Sequence, residues 1–220
     1  MDKIILFDLD GTLIDSTEAI LESFEAAFAE FGVDVASSED IKALIGHPLD
    51  YMFEHLGVDK EVVWDYVAAY KRHYRQISCQ KTVLLPKAIE AIQKAKEFAI
   101  LGIVTTKTAL YSKEMLEYMG VIEYFDVLIG REDVQNPKPH PEPIQKALLK
   151  LPKVSNVWMI GDTCMDMHSA KASGVGAIGV ECGYGCRDEL SQCADLIMPN
   201  TYEAVTHLST LDSDEKNIVF

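Results

Sequence analysis

No basic run, no Cys-x-x-Cys pair, no internal repeat and no long apolar stretch occur in these 220 residues, and each absence narrows the field. Twenty Lys and Arg stand against 35 Asp and Glu, a net charge of −15, so DNA or RNA would be repelled over most of the surface. A small phosphorylated ligand stays compatible, because a bound divalent cation and one or two lysines reverse the field locally. No apolar stretch approaches the roughly 18 residues that a membrane helix needs. Met1-Asp2-Lys3 leads straight into apolar residues with neither a basic n-region nor a small-residue cleavage site, which sets the expectation of a cytoplasmic protein without membrane partners. The five cysteines, Cys79, Cys164, Cys182, Cys186 and Cys193, are odd in number, and reduced thiols are expected in that compartment. A zinc site from Cys182, Cys186 and Cys193 is disfavoured, since no histidine follows at finger spacing. Nothing in the pattern sets an oligomeric state.

What is present is an alternation of short apolar runs and amphipathic stretches in a chain that is 48% apolar. Residues 4–7, 99–104, 127–129, 157–160, 176–180 and, more weakly, 196–198 read as strands, and residues 87–98 and 141–150 as helices between them. Strands with few polar residues, spaced by helices, give an α/β fold with a doubly wound parallel sheet. Ligands of such sheets bind beyond the carboxyl ends of the strands, near the switch point. Residues 16–84 break the alternation and are helical throughout. Asp15 or Ser16 caps a helix through Ile20, Phe24, Ala27 and Phe31, and Ser37 or Ser38 starts a second that ends at Gly46. His47-Pro48 introduces a third, and residues 62–74 form a fourth. The expected organisation is a core of residues 1–15 and 85–211, a helical cap of residues 16–84 and a tail of residues 212–220, polar until Ile218-Val219-Phe220, that frays or docks. The insertion leaves and rejoins the core beside the first strand, so a lid with two hinges is the functional expectation.

Asp8-Leu9-Asp10-Gly11-Thr12 follows the first apolar run. Such a motif arises by composition about once in 10⁵ positions. Alternation along an extended chain puts Asp8 and Asp10 on one side, and Gly11 lets the backbone turn closely past whatever lies between them. Two adjacent anions call for a cation. Downstream, Thr105, Thr106 and Lys107 end the second strand with a hydroxyl and free amides suited to phosphate oxygens. Prolines 137, 139 and 141 stiffen the loop that presents Lys138. Asp162 and Asp166 close an apolar strand and open a helix; the first could be its N-cap, and both are hard-oxygen ligands suited to magnesium.

These pieces, in this order, resemble the haloacid dehalogenase-like hydrolases, subfamily I with a helical cap, over nearly the whole chain. Ile14-Asp15-Ser16, Ile45-Gly46-x-Pro48-Leu49, Lys138-Pro139-x-Pro141 and Gly161-Asp162-Thr163-x-x-Asp166 look most like the phosphoglycolate phosphatase group. The resemblance implies a magnesium-dependent phosphatase for a small phosphorylated metabolite such as 2-phosphoglycolate. Asp8 would be the nucleophile and Asp10 the general acid and base. Asp8, the Asp10 carbonyl, Asp162 and Asp166 would serve the metal, with Gly11, Thr105, Thr106 and Lys138 on the phosphate. Inorganic pyrophosphatase and phosphosugar mutase use the same set, and a non-catalytic binding module is a further alternative, against which stands the presence of Asp8, Asp10, Lys138 and Asp162. Three positions depart from the family's pattern: Thr106 where Asn is usual, Lys87 where Gly is common, and Glu97-Phe98-Ala99 before the second strand. Lys42, His47 and the Lys71-Arg72-His73 cluster are candidate cap contacts to substrate.

Overall fold

Apolar runs with no polar face to offer solvent are buried on both sides, and in this chain they form one parallel sheet. A computed structural model describes residues 1–211; the expectations for the tail beyond Leu211 lie outside the described residues. The first half holds β1 (Lys3–Phe7), β2 (Ile14–Asp15), α1 (Thr17–Glu30), α2 (Ser38–Ala43), α3 (Leu49–His55), α4 (Val63–Ile77), β3 (Val83–Leu84), α5 (Ala88–Lys96) and β4 (Ile100–Val104). The second half holds α6 (Ala109–Tyr118), β5 (Val127–Ile129), α7 (Glu142–Leu149), β6 (Asn156–Gly161), α8 (Cys164–Ala172), β7 (Gly176–Val180), α9 (Arg187–Cys193), β8 (Leu196–Met198) and α10 (Thr201–Thr210).

The sheet order is β5-β4-β1-β6-β7-β8, every pairing parallel. The chain winds from β1 outward to one edge, then returns to β1's other side and winds to the opposite edge. The switch point therefore falls at β1, between β4 and β6, and a crevice opens beyond their carboxyl ends. Side chains of β1 alternate as the pleat requires: Ile5 and Phe7 pack with Ile92 of α5 and Leu208 of α10, whereas Ile4 and Leu6 pack with Ile144 of α7 and Met167 of α8.

Helices α1 to α4 carry their own aromatic centre, where the Phe24 ring lies 4.6 Å from Phe53 and 5.1 Å from Tyr70. The expected apolar face of α1 is shifted at its end. Phe28 is buried there, and Phe31 is exposed and stacks on Tyr66 instead. Ser37 caps α2 through the Asp40 amide, and Asp15 accepts from the Thr17 amide at the start of α1. A two-stranded antiparallel ribbon of β2 and β3, too short to leave a sequence signal, joins residues 16–84 to the sheet.

One departure from the family pattern acquires a geometry in the core. Lys87 adopts a left-handed φ of 62°, the conformation for which glycine is preferred, and its ammonium lies over the Tyr202 ring. Cys164 and Cys193 form a disulfide between α8 and α9, correcting the expectation that all thiols are reduced. Spacing of 29 residues gave no hint of that pair. Among the described residues no helix is long and apolar enough to cross a membrane.

Candidate active site

Asp8 is the first residue past β1, anchored by its amide to the Ile160 carbonyl of β6, so β1 and β6 end side by side. Asp162 follows β6 directly. Asp166 stands one turn into α8, where it accepts hydrogen bonds from the Thr163 amide and hydroxyl at 3.2 and 2.9 Å. Thr163, rather than Asp162, is the N-cap. Asp162 is thereby free to point inward, and it accepts from the Thr12 hydroxyl at 3.1 Å and the Tyr184 amide at 2.7 Å.

One carboxylate oxygen from each of Asp8, Asp162 and Asp166 lies within 4.8 Å of the other two, and all three residues are buried. Lys138, 3% exposed, reaches them from its proline loop: Nζ is 2.8 Å from Asp8, 2.6 Å from Asp166 and 3.0 Å from the Val104 carbonyl. One ammonium against three carboxylates leaves the centre short of positive charge. Burial raises the Asp8 carboxyl to about 7, against the attraction of Lys138 and with help from the charge of Asp166. Burial and the charges of Asp8 and Asp166 push Asp162 well above its ordinary value. Burial pulls Lys138 down, but Asp166 and Asp8 outweigh it and hold it firmly protonated.

The centre fits a hard divalent cation on its own geometry. Asp8 Oδ1, despite the nearby ammonium, receives no well-directed hydrogen bond and is a buried acceptor with capacity to spare. The space beside Asp162 is kept open by glycine. A Cβ at Gly11, whose φ is +78°, would lie 2.2 Å from the Asp162 carboxylate.

The Asp10 carboxylate is not one of the three that converge. The chain leaves its extended path after β1, with the amides of Thr12, Leu13 and Ile14 all turning back to the Leu9 carbonyl. The Asp10 carboxylate therefore accepts from the Ser16 hydroxyl and lies 3.1 Å from Lys107 Nζ, facing the helical layer. Lys107 also donates to the Tyr74 hydroxyl of α4 at 2.9 Å and lies over the Tyr74 ring. Desolvation works against its charge, but Asp10 and Tyr74 more than compensate and raise it well above the ordinary lysine value.

Thr105 is buried and its hydroxyl accepts from the Lys107 amide at 3.1 Å, which orders the loop after β4. The Thr106 hydroxyl donates to the Gly46 carbonyl at 2.7 Å, across to the helical layer. His47 lines the cavity between the layers, whereas Lys42 is exposed and outside that lining. Burial, then the nearby His55, lowers the His47 imidazole and favours its neutral form. Among the described residues, the acidic triad is the one group of His, Cys, Asp or Glu able to share a metal, so Cys182, Cys186 and Cys193 do not converge on a zinc site.

Three contributors escaped the sequence reading: Tyr74, Tyr184, and Lys107 as a partner of Asp10. Lys107 stood in a recognised motif, and that was its only signal. Tyr74 and Tyr184 looked like ordinary helical and loop aromatics.

A buried acidic triad able to share a cation and a buried lysine, gathered at the switch point of a parallel sheet, have the chemistry of a site for phosphoryl groups. The model of the haloacid dehalogenase-like hydrolases matches residues 5–180, and the chain belongs to that family. It is 35% identical to the pyrophosphatase PpaX of Halalkalibacterium halodurans over 84% of this chain and 85% of that one. It is 27% identical to the phosphoglycolate phosphatase of Salmonella typhimurium over 99% of both. A haloacid dehalogenase-like hydrolase structure from Streptococcus pneumoniae superimposes with a TM-score of 0.83 at 27% identity, covering 93% of this chain and 97% of the other.

Proposed function

We propose that this hydrolase is a magnesium-dependent phosphatase of the cytoplasm that cleaves a small phosphomonoester through a phosphoaspartyl intermediate on Asp8, with residues 16–84 closing as a cap. The observation that carries the reading is the buried set of Asp8, Asp162, Asp166 and Lys138 at the sheet's switch point. Held by Asp8, Asp162, Asp166 and the Asp10 carbonyl, magnesium would supply the positive charge that this set lacks. Asp8 attacks phosphorus; the new O–P bond forms as the bond to the leaving oxygen breaks. Lys138, the Thr105 hydroxyl and the Thr106 amide hold the non-bridging oxygens, and Gly11 leaves room for the phosphate beside them. Asp10, held by Ser16 and Lys107, gives its proton to the leaving oxygen. It then takes a proton from the water that attacks phospho-Asp8, and phosphate leaves with the Asp8 carboxylate restored. Tyr74 meets Lys107 only while the helical layer lies against the sheet, which ties the placement of Asp10 to closure and to exclusion of water.

The family resemblance and the named relatives make 2-phosphoglycolate and pyrophosphate the reference substrates. Wild type and Asp8→Asn are to be compared on a panel of phosphoesters with and without magnesium; equal turnover by the variant refutes the nucleophile assignment. Product analysis separates the rivals: phosphate and an alcohol from a monoester, phosphate alone from pyrophosphate, an isomeric sugar phosphate from a mutase. A chain that cannot be trapped by beryllofluoride at Asp8 would be a binding module.

A further inference from the structure

The space available to the leaving group is larger than either reference substrate requires. A cavity of about 360 Å³ opens between the sheet's edge and the helical layer, beginning at Asp10, Thr106 and Lys107. At about 30 Å³ per water it has room for roughly a dozen waters. Glycolate, a handful of heavy atoms, would leave most of it filled with solvent, and pyrophosphate would place a second dianion there.

The walls are wrong for that second anion. Tyr70, Tyr74 and Tyr111 line the cavity with Ile45, Leu49 and Val67, so most of the surface offered is apolar or aromatic. Three cations reach it, but Lys107 is held by Asp10 and the Arg131 guanidinium donates to the Val134 carbonyl. Lys71 is left, opposed by Asp50 and Glu132 in the same lining. His47 is held toward its neutral form by burial, so it adds no fixed charge.

One wall residue has no packing role that explains it. Trp64, near the start of α4, lines the cavity yet is 61% exposed, a large flat ring left in contact with water. Apolar walls with an open indole suit a ligand that brings a flat ring of its own, since ring stacking needs a π-face and no fixed charge.

We infer that the leaving group is an uncharged alcohol carrying a planar aromatic or heteroaromatic ring, of about nucleoside size, which stacks on Trp64 while its phosphate sits at Asp8. This rests on the phosphatase reading and names the substrate class for that same site. Trp64 is then a specificity determinant and takes no part in bond making.

The test uses the full chain with magnesium. Uridine 5′-monophosphate and phenyl phosphate serve as ring-bearing probes, with 2-phosphoglycolate and pyrophosphate as references. Both ring esters are expected to show the higher kcat/KM. In Trp64→Ala the ratio of kcat/KM for ring esters to that for 2-phosphoglycolate should fall about tenfold, through KM, and Trp64→Phe should restore it. Calorimetric titration of uridine 5′-monophosphate into Asp8→Asn, with and without the Trp64→Ala change, reads the same contact without turnover. A preference for either reference substrate, or an unchanged ratio and affinity in Trp64→Ala, overturns the inference and leaves the phosphatase reading intact. Absence of turnover on every ester refutes the phosphatase reading, and the titration then still decides whether a ring binds at Trp64.

Discussion

Removing the charge of Asp162 should make the metal-free protein more stable while abolishing its response to magnesium. Asp162 is fully buried, one of its oxygens lies within 4.8 Å of an oxygen of Asp8 and of Asp166, and Lys138 pairs with those two and not with it. At an effective dielectric of about 20, two unit charges at that distance repel by about 3.5 kcal/mol. Protonation relieves that repulsion, which is why burial and the neighbouring charges hold the Asp162 carboxyl above its ordinary value. Asp162→Asn removes the repulsion and weakens the hydrogen bonding from Thr12 and Tyr184, by about 2 kcal/mol in all. A net gain of about 1–2 kcal/mol at pH 7 remains. The sign follows from the raised Asp162 value. As pH rises past about 4 the unfolded chain releases this proton before the folded chain does, so wild-type stability falls across the window between the ordinary and the raised value. The variant does not share that fall, and its advantage grows by up to about 1.4 kcal/mol per pH unit, disappearing near pH 4. Urea unfolding in EDTA at several pH values reads this directly, with parallel series in magnesium. A variant less stable than wild type at pH 7 in EDTA, or equally stabilised by magnesium, would refute the reasoning.

Lys138→Met leaves Asp8 and Asp166 without their buried partner and should cost about 3–5 kcal/mol in EDTA, with part of the loss recovered in magnesium; urea midpoints in the two buffers check it. Gly11→Ala forces a methyl against the Asp162 carboxylate at a positive φ, so magnesium affinity, read by calorimetry, should fall at least tenfold. Reduction of the Cys164–Cys193 bridge releases a loop closed over 29 residues and should lower stability by up to about 3.6 kcal/mol. Identical unfolding midpoints with and without dithiothreitol would show that the bridge contributes nothing.

Much of this molecule was legible in its chain because the relevant signals are local. The strands at β1, β4, β5, β6, β7 and β8 were visible as apolar runs, since burial on both faces leaves no place for polar residues. The order of those runs fixed a parallel sheet, and the acidic and lysine motifs announced themselves by residue type at strand ends. The aspartates and Lys138 could be nominated without coordinates for that reason. Local rules failed where the chain departs from regular geometry. Strand alternation paired Asp8 with Asp10, but the chain turns around the Leu9 carbonyl, and that rule could not supply Lys107 and Ser16 as the partners of Asp10.

What the sequence determined by itself, then, was the alternation of strands and helices and the identity of the charged groups at the sheet's edge. Only the tertiary structure decided which of those groups share a centre, that Tyr74 reaches Lys107 from the helical layer, that Tyr184 orients Asp162, and that Cys164 pairs with Cys193. The physical reason is separation along the chain. A hydrophobic period or a cap is set by neighbours a few residues apart, whereas contacts such as Thr12 to Asp162, 150 residues apart, exist only once distant elements have packed.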